Sequence, residues 1–330
     1  MEKSENNLVD WISGRFGQST GGADDAVLIG LGDDMAMIRP HADALLVAAD
    51  MIMDGVDFDA SLHSPEQIGR KALAVNLSDC AAMAVQPRFA IVSLALPNEW
   101  TMEQARRLFE GMDELALQYG VRLIGGDTNS WDRPLVADVT IMAEPWPGLR
   151  PVTRRGARPG DLVCVTGSLG GSLSGRHLAF EPRVNEAKWL AEELGDGLHA
   201  MMDLSDGLSI DGRRLCESSG VGMEIREDAL ESVASDDAIV ASRNDGRSIV
   251  DHVLNDGEDF ELLHVVDVLR FHQVAHQEKR NPLNSLSMSH GLKLAPVRPI
   301  GVVIEESGLH MVKKDGSKVR ITSGGWQHFT

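Results

Sequence analysis

Acidic side chains stand in a few short segments of this sequence, beside or inside apolar stretches. The segments are GLGDD (30–34), AAD (48–50), NLSD (76–79), IGGDT (124–128), DLSDG (203–207) and GEDFE (257–261). Asp50 and Asp127 each end an apolar segment, and Asp79 interrupts an apolar helical pattern. A carboxylate in such a place is costly unless it is paired or bound to a metal ion. A lone aspartate at a turn, by contrast, is usually a helix cap or an Asx turn.

Convergence of these carboxylates would predict a magnesium site. Two like charges about 5 Å apart repel by about 3 kcal/mol at an effective dielectric constant of about 20, so a cluster needs bound cations. Oxygen ligands without histidine or cysteine favour Mg²⁺ over zinc. Mg²⁺ commonly leaves coordination positions to substrate phosphates. Most of the 50 acidic residues, however, are expected on the solvated surface.

The stretch MMDLSDGLSIDG (201–212) could be a calcium loop or the capped start of a helix. Counted from Asp203, an EF-hand requires glycine and glutamate at positions where this chain has Leu208 and Arg214, so the calcium loop is excluded. A helix that runs to Ser219 is expected instead, and capping is compatible with metal binding. Asp211 is expected at the surface of that helix.

Glycine-rich segments give a weaker signal for phosphate binding. The chain has no GxxxxGK[ST] motif, which excludes a P-loop kinase. The loop GSLGGSLSG (167–175) is not followed by a dinucleotide fingerprint. A flexible connection and an anion-binding nest remain equally good interpretations of this loop.

The composition narrows the class of protein. The formal charge is 31 − 50 = −19, which argues against nucleic acid or an anionic membrane as a partner. No apolar run approaches the ~20 residues of a membrane helix, and the N-terminus lacks the pattern of a signal peptide. Cys80, Cys164 and Cys216 are odd in number and form no CxxC pair. A disulfide framework is therefore not expected, and a reducing cytoplasm is the expected compartment.

Strand and helix patterns mix in both halves without regular βαβ alternation, which predicts an α+β fold with two domains. The segment Pro145–Pro159, rich in proline, glycine and arginine, places the boundary between domains 1–149 and 150–330.

Local signals predict several individual elements. The pattern TMEQ (101–104) is a capping box for a helix that ends at Gly120. Another helix is expected near Val184–Leu194. Strands at Asp34–Ile38 and Leu45–Ala49 are expected to form a hairpin.

Longer motifs resemble one known family. They are GLGDDMAM, DMIMDGVDF, GRKALAVNLSDCAAMAVQP, LIGGDT, VTRRGARPGD, MDLSDGLSID, GEDFELL and the terminal GGWQHF. In this order and spacing they resemble the thiamine-monophosphate kinase family, within the aminoimidazole ribonucleotide synthetase-like ATP-binding superfamily. The resemblance implies a homodimer whose N-terminal α/β domain binds ATP and Mg²⁺ and pairs its sheet with a second subunit, followed by a C-terminal α+β domain. It also implies direct transfer of the ATP γ-phosphoryl group to thiamine monophosphate.

The resemblance further implies roles for individual residues. Several Mg²⁺ ions would be held by Asp34, Asp50, Asp79, Asp127, Asp203 and Asp206. ATP would be contacted by Phe109, Gly126, Asp127, Arg154 and Ser205, and thiamine monophosphate by Asp57, Glu258 and Trp326. Catalysis would depend on Asp127, Arg154 and Asp206. Potassium is a further candidate cation, and the sequence leaves open whether a monovalent ion is required.

Departures from the family pattern keep other functions open. Ala48 and Ala49 replace usual hydroxyl residues, and Asp57 replaces a usual histidine. A catalytically impaired nucleotide-binding dimer is therefore an alternative, as is another ATP-dependent enzyme of the superfamily. A selenophosphate synthetase would need a reactive cysteine before Cys80, and a hydrogenase-maturation protein would end in cysteine. Both are disfavoured.

Overall fold

The computed structural model describes residues 8, 11–12, 14–15, 26–31, 35–277 and 294–326. The chain divides into two compact units, one of residues 1–80 and 85–148, the other of residues 81–84 and 149–330. Each unit contains helices and a predominantly antiparallel sheet. The predicted α+β fold class is confirmed.

The first unit is built on a four-stranded sheet in the order β3-β6-β4-β5, in which β4 and β5 are parallel. Its elements are β1 (Val27–Ile29), β2 (Met37–Ile38), β3 (Leu46–Met53), α1 (Pro65–Ala82), β4 (Val85–Pro97), α2 (Met102–Tyr119), β5 (Arg122–Trp131) and β6 (Val136–Pro145). The capping box predicted for α2 is present, with the Thr101 side chain accepting from the Gln104 N–H. The helix ends at Gly120, which is left-handed as expected.

The hairpin expected between residues 34–38 and 45–49 is wrong. β3 pairs along its length with β6, whereas β2 pairs with β1. β3 is eight residues long and β2 only two, so β2 cannot satisfy the backbone groups of β3. The sequence pattern indicated only a local turn between β2 and β3, whereas the strand that pairs with β3 lies far along the chain.

The second unit is built on a seven-stranded sheet in the order β13-β12-β9-β11-β7-β10-β8. Its elements are β7 (Leu162–Thr166), α3 (Val184–Leu194), β8 (Leu198–Asp203), α4 (Leu208–Ser219), β9 (Gly222–Arg226), α5 (Glu227–Ser232), α6 (Asp236–Asp245), α7 (Ile249–Asn255), β10 (Leu262–Val266), α8 (Val268–Gln277), β11 (Val297–Ile304), β12 (Gly308–Val312) and β13 (Lys318–Ile321). The helices predicted at 184–194 and up to residue 219 are confirmed.

The core of the second unit supports the loops that carry the acidic motifs. Buried aliphatic side chains of β7, β8 and β10 pack against those of α4, α5 and α7. This packing fixes the ends of β8 and β10, where two of those loops begin or end. Among the described residues, no helix combines the length and the apolar character needed to cross a membrane.

Candidate functional site

Two acidic loops lie side by side at one end of the sheet in the second unit. We call residues 203–207 the DLSDG loop and residues 257–261 the GEDFE loop. β8 and β10 are antiparallel, with Asp203 opposite Leu262. The loop that follows β8 and the loop that precedes β10 therefore emerge at the same end of the sheet.

Backbone hydrogen bonds join the two loops. The Glu258 N–H donates to the Ser205 carbonyl at 2.6 Å, and the Phe260 N–H donates to the Leu204 carbonyl at 2.8 Å. The family resemblance implies that Ser205 contacts ATP and that Glu258 contacts thiamine monophosphate. The structure brings these two residues together.

The C-terminal segment adds Trp326 to this group. The Trp326 N–H donates to the Asp206 carbonyl at 2.9 Å, and the Trp326 side chain is about half exposed. A Cβ atom on Gly325 would lie 2.6 Å from the same carbonyl oxygen, and Gly325 has a φ of +74°. Only glycine allows the chain to pass so close to the DLSDG loop in this conformation.

Carboxylates are crowded where α4 begins. Asp203 is buried, and the Asp206 N–H donates to the Asp211 carboxylate at 2.9 Å. Arg214 bonds both Asp206 and Asp211, at 2.5 and 2.9 Å. Burial, followed by the charges of Asp203 and Asp206, raises the pKa of Asp211 to about 7. Arg214 thus offsets part of the negative charge that Asp203, Asp206 and Asp211 bring together.

The expectation that Asp211 lies at the surface is wrong, because its side chain is fully buried. Asp211 follows Leu208 by three residues and precedes Leu215 by four, so it shares their helix face. This apolar helix face packs into the core, so the spacing of Asp211 from the two leucines could have indicated that Asp211 is buried as well. Arg214 was missed as well, since its role depends on two carboxylates that the fold brings to it.

In the first unit, the sheet register separates two of the candidate metal ligands. Residues that pair across neighbouring strands form a row that crosses the sheet. Asp50 is in the row that ends at Gly126, whereas Asp127 is in the next row, together with Ser93 and Asp138. Neighbouring rows point to opposite faces, and Asp50 and Asp127 lie three interstrand spacings apart, roughly 14 Å. Asp138 shares the face of Asp127, and sequence reasoning missed it although β6 alternates in hydrophobicity.

Other candidate residues of the first unit have clear local roles. A Cβ atom on Gly126 would lie 2.1 Å from the Val92 carbonyl oxygen, so this position requires glycine. Phe109 is buried within the unit. The Asp57 carboxylate accepts the Met53 N–H at 2.7 Å and so closes the turn after β3. This hydrogen bond gives Asp57 a structural role that does not depend on substrate binding.

Arg154 lies in the exposed segment that precedes β7. Its backbone is held in place, because Ser219 Oγ donates to the Arg154 carbonyl at 2.8 Å and the neighbouring Thr153 carbonyl accepts the Met201 N–H at 3.0 Å. The backbone is thus fixed while the guanidinium remains at the surface.

The donor chemistry of the candidate ligands fits Mg²⁺, since all are carboxylates. Within the described ranges, no group of three or more His, Cys, Asp or Glu residues is close enough to hold a metal ion. Asp34 lies outside those ranges, and Asp79 is half-buried in α1. Burial raises the pKa of Asp211 most, and an added cation would relieve the second cause, the charges of Asp203 and Asp206. The metal roles remain predictions.

Residues 32–144 match the family model of the AIR synthase related protein, N-terminal domain. The thiamine-monophosphate kinase of Rhodopirellula baltica is 41% identical over 252 residues, which cover 73% of this chain and 76% of the relative. The thiamine-monophosphate kinase of Bacillus subtilis is 33% identical over 328 residues, covering 92% and 94% of the two chains.

Solved structures share the fold over nearly the whole chain. The thiamine-monophosphate kinase from Stenotrophomonas maltophilia has a TM-score of 0.74 at 28% identity, covering 96% of this chain and 98% of that chain. AaThiL complexed with AMPPCP and TMP has a TM-score of 0.68 at 27% identity, covering 100% and 99%. HypE of E. coli, a hydrogenase maturation protein, has a TM-score of 0.75 at 19% identity, covering 97% and 96%, which shows a common fold alone.

Proposed function

The chain belongs to the thiamine-monophosphate kinase family, and we propose that it transfers the γ-phosphoryl group of ATP directly to thiamine monophosphate. The products are thiamine diphosphate and ADP. The observation that carries this proposal is the group formed by Ser205, Glu258 and Trp326, whose loops are joined by backbone hydrogen bonds. Relatives of this name at 41% and 33% identity support the same activity.

Recognition of thiamine monophosphate is assigned to Glu258, Trp326 and Asp57. The half-exposed Trp326 ring offers a flat face to the cationic thiazolium, and the Glu258 carboxylate attracts the same positive charge. Asp57 repels phosphate by its own charge, so it would take part in phosphate binding only if it held a cation.

Phosphoryl transfer depends on positioning and charge neutralisation more than on covalent chemistry. When bound, Mg²⁺ neutralises phosphate charge and orients the reacting oxygens. The aspartates that would hold several such ions are Asp34, Asp50, Asp79, Asp127, Asp203 and Asp206. Arg154 neutralises charge on the transferred group, and Gly126, Ser205 and Phe109 contact the nucleotide. Asp127, Arg154 and Asp206 thus form the catalytic set.

A homodimer is proposed on the exposed face of the first unit's sheet. Val47, Met51 and Met53 alternate along β3 with exposed fractions of 62%, 55% and 41%. Exposed apolar side chains along one strand mark an interface, and the same strand of a second copy is an occupant of matching chemistry. The three free, buried cysteines suit a reducing cytoplasm, which we propose as the location.

The activity is tested by incubating the purified protein with Mg²⁺, ATP and thiamine monophosphate and measuring thiamine diphosphate. Thiamine in place of thiamine monophosphate should give no product. Asp206→Asn should lower kcat by about 100-fold or more, as loss of an electrostatic contact in a transition state does. Asp315→Asn, the same charge change in the exposed β12–β13 turn, is the control and should retain activity. ATP binding without turnover would favour the catalytically impaired dimer.

A further inference from the structure

The glycine loop (167–175) forms an anion-binding nest that is occupied by a carboxylate of the protein. The Gly170 N–H donates to both oxygens of Asp259 at 2.9 Å. Ser172 Oγ and Arg176 Nη2 donate to the same carboxylate, each at 2.9 Å. The anion in this nest is therefore Asp259, which lies in the GEDFE loop.

The glycine loop is held from a second side by α7 and the residue that follows it. The Gly171 N–H donates to Asp256 at 2.8 Å. A Cβ atom on Gly170, whose φ is +82°, would lie 2.9 Å from the backbone carbonyl carbon of His252. The loop can approach α7 so closely because this residue is glycine. Its position relative to the GEDFE loop is thus fixed on both sides.

Asp259 lies between two residues in an unfavourable backbone conformation. Glu258 and Phe260 have φ values of +53° and +49°, in the left-handed region that residues other than glycine rarely adopt. Such residues persist where their surroundings hold them in place. The Phe260 ring stacks on Phe180 at 4.2 Å between centroids, and the Asp259 side chain is 2% exposed.

We propose that Asp259 is a positioning residue for the substrate carboxylate Glu258. Bound by the glycine loop and by Arg176, it holds the left-handed turn and thereby sets where the Glu258 side chain meets thiamine monophosphate. The inference rests on the proposed function only in assigning Glu258 to that substrate. In this proposal the glycine loop positions a substrate-binding residue and does not itself bind phosphate.

The DLSDG loop is also held by hydrogen bonds that do not involve Asp259. The effects of an Asp259 variant on the two substrates should therefore differ. Asp211 accepts the Asp206 N–H, and the Trp326 N–H is bonded to the Asp206 carbonyl. Loss of the Asp259 carboxylate should therefore disturb Glu258 more than the nucleotide residue Ser205. The expected signature is a change in KM for thiamine monophosphate with little change in KM for ATP.

Asp259→Asn keeps the size of the side chain and removes its charge and one acceptor oxygen. We expect KM for thiamine monophosphate to rise about tenfold and KM for ATP to change less than twofold. Ser172→Ala removes a single bond to the same carboxylate and should shift KM in the same direction by a smaller factor. Asp161→Asn is the matched control, because Asp161 is also a buried acceptor of the second unit but bonds Arg158 and His199. Its KM values should equal those of the wild type.

A double-mutant cycle with Glu258→Ala tests whether Asp259 acts through Glu258. If it does, Asp259→Asn adds no further increase in KM for thiamine monophosphate when Glu258 is already alanine. Independent multiplicative effects, or an unchanged KM in Asp259→Asn, would overturn the proposal.

Hydrogen exchange provides a readout that does not depend on turnover. The amides of Glu258 and Phe260, which are bonded to the DLSDG loop, should exchange faster in Asp259→Asn than in Asp161→Asn. Equal exchange in the two variants would refute the positioning role. A wild type that forms no thiamine diphosphate would refute the proposed function alone, since the exchange result would stand.

Discussion

A buried histidine shows how the interior of the second unit changes the proton affinity of a single side chain. His264 is fully buried on β10, between Cys164 of β7 and Met201 of β8. Burial lowers the pKa of His264 from 6.5 to about 4, and the Leu262 backbone acts in the opposite direction. The imidazole is therefore neutral in the folded protein at neutral pH.

Burial of His264 should by itself make stability fall as the solution is acidified, whereas the raised pKa of Asp211 acts in the opposite direction. The pKa of His264 is lower in the folded state than in the unfolded state. The stabilisation associated with its neutral form is therefore fully present above pH 6.5 and is lost as the pH falls toward about 4. Between pH 7 and pH 5 the contribution of His264 alone to the unfolding free energy falls by about 2 kcal/mol. His264→Leu should remove it, as measured by urea unfolding at the two pH values. The exposed His276→Gln should keep the wild-type dependence, and an unchanged dependence in His264→Leu would contradict this explanation.

Residue types and motifs identified the acidic loops but not all of the residues that act in them. Ser205, Glu258 and Trp326 were chosen through the family resemblance of these motifs, and the structure brings them together. Asp211 and Arg214 were not selected, because their importance arises from burial and from partners that only the fold supplies. A carboxylate on a helix is usually solvated, and its composition alone does not distinguish the buried case.

Among the elements, the C-terminal strap, which we define as residues 322–326, connects β13 to the candidate site. Arg213 Nη1 donates to the Thr322 carbonyl at 2.6 Å, which holds the beginning of the strap on α4. Its other end is held at Trp326 by the Asp206 carbonyl. The position of the tryptophan therefore depends on the path of the strap between these two anchors.

Gly325→Ala should displace this strap. The added Cβ would meet the Asp206 carbonyl at 2.6 Å in a backbone conformation that is already strained for alanine. We expect KM for thiamine monophosphate to rise about tenfold, since each kcal/mol of lost binding is about a fivefold change and such strain costs one or two. Gly316→Ala is the control, because Gly316 also has positive φ but open space around its Cβ position. Similar KM changes in both variants would argue against a steric effect on the strap.

Elements defined by local chemistry were predicted well, and their pairing was not. The capping box of α2 and the bounds of α3 follow from side chains within a few residues of each other. The partner of β3 is β6, far along the chain, and no local signal specifies it. The distance between Asp50 and Asp127 could not be predicted for the same reason, because it depends on the order of the strands in the sheet.

At the scale of the whole molecule, the proposed homodimer would use the exposed apolar side chains of β3 as its interface. Met51→Glu places a charge at the centre of this face and should convert a dimer into a monomer, as measured by light scattering after gel filtration. Leu62→Glu is the control, because Leu62 is 76% exposed in the same unit but lies outside the strands. A wild-type monomer, or a dimer that survives Met51→Glu, would exclude this face as the interface.

Transfer of label from ATP tests the central claim most directly. The purified protein is incubated with Mg²⁺, thiamine monophosphate and ATP labelled in the γ-phosphate, and the products are separated. We expect the label in the terminal phosphate of thiamine diphosphate, with one ADP formed for each molecule of product. Label released as inorganic phosphate, or retained in ATP while the nucleotide is bound, would contradict the assignment of this chain as a kinase.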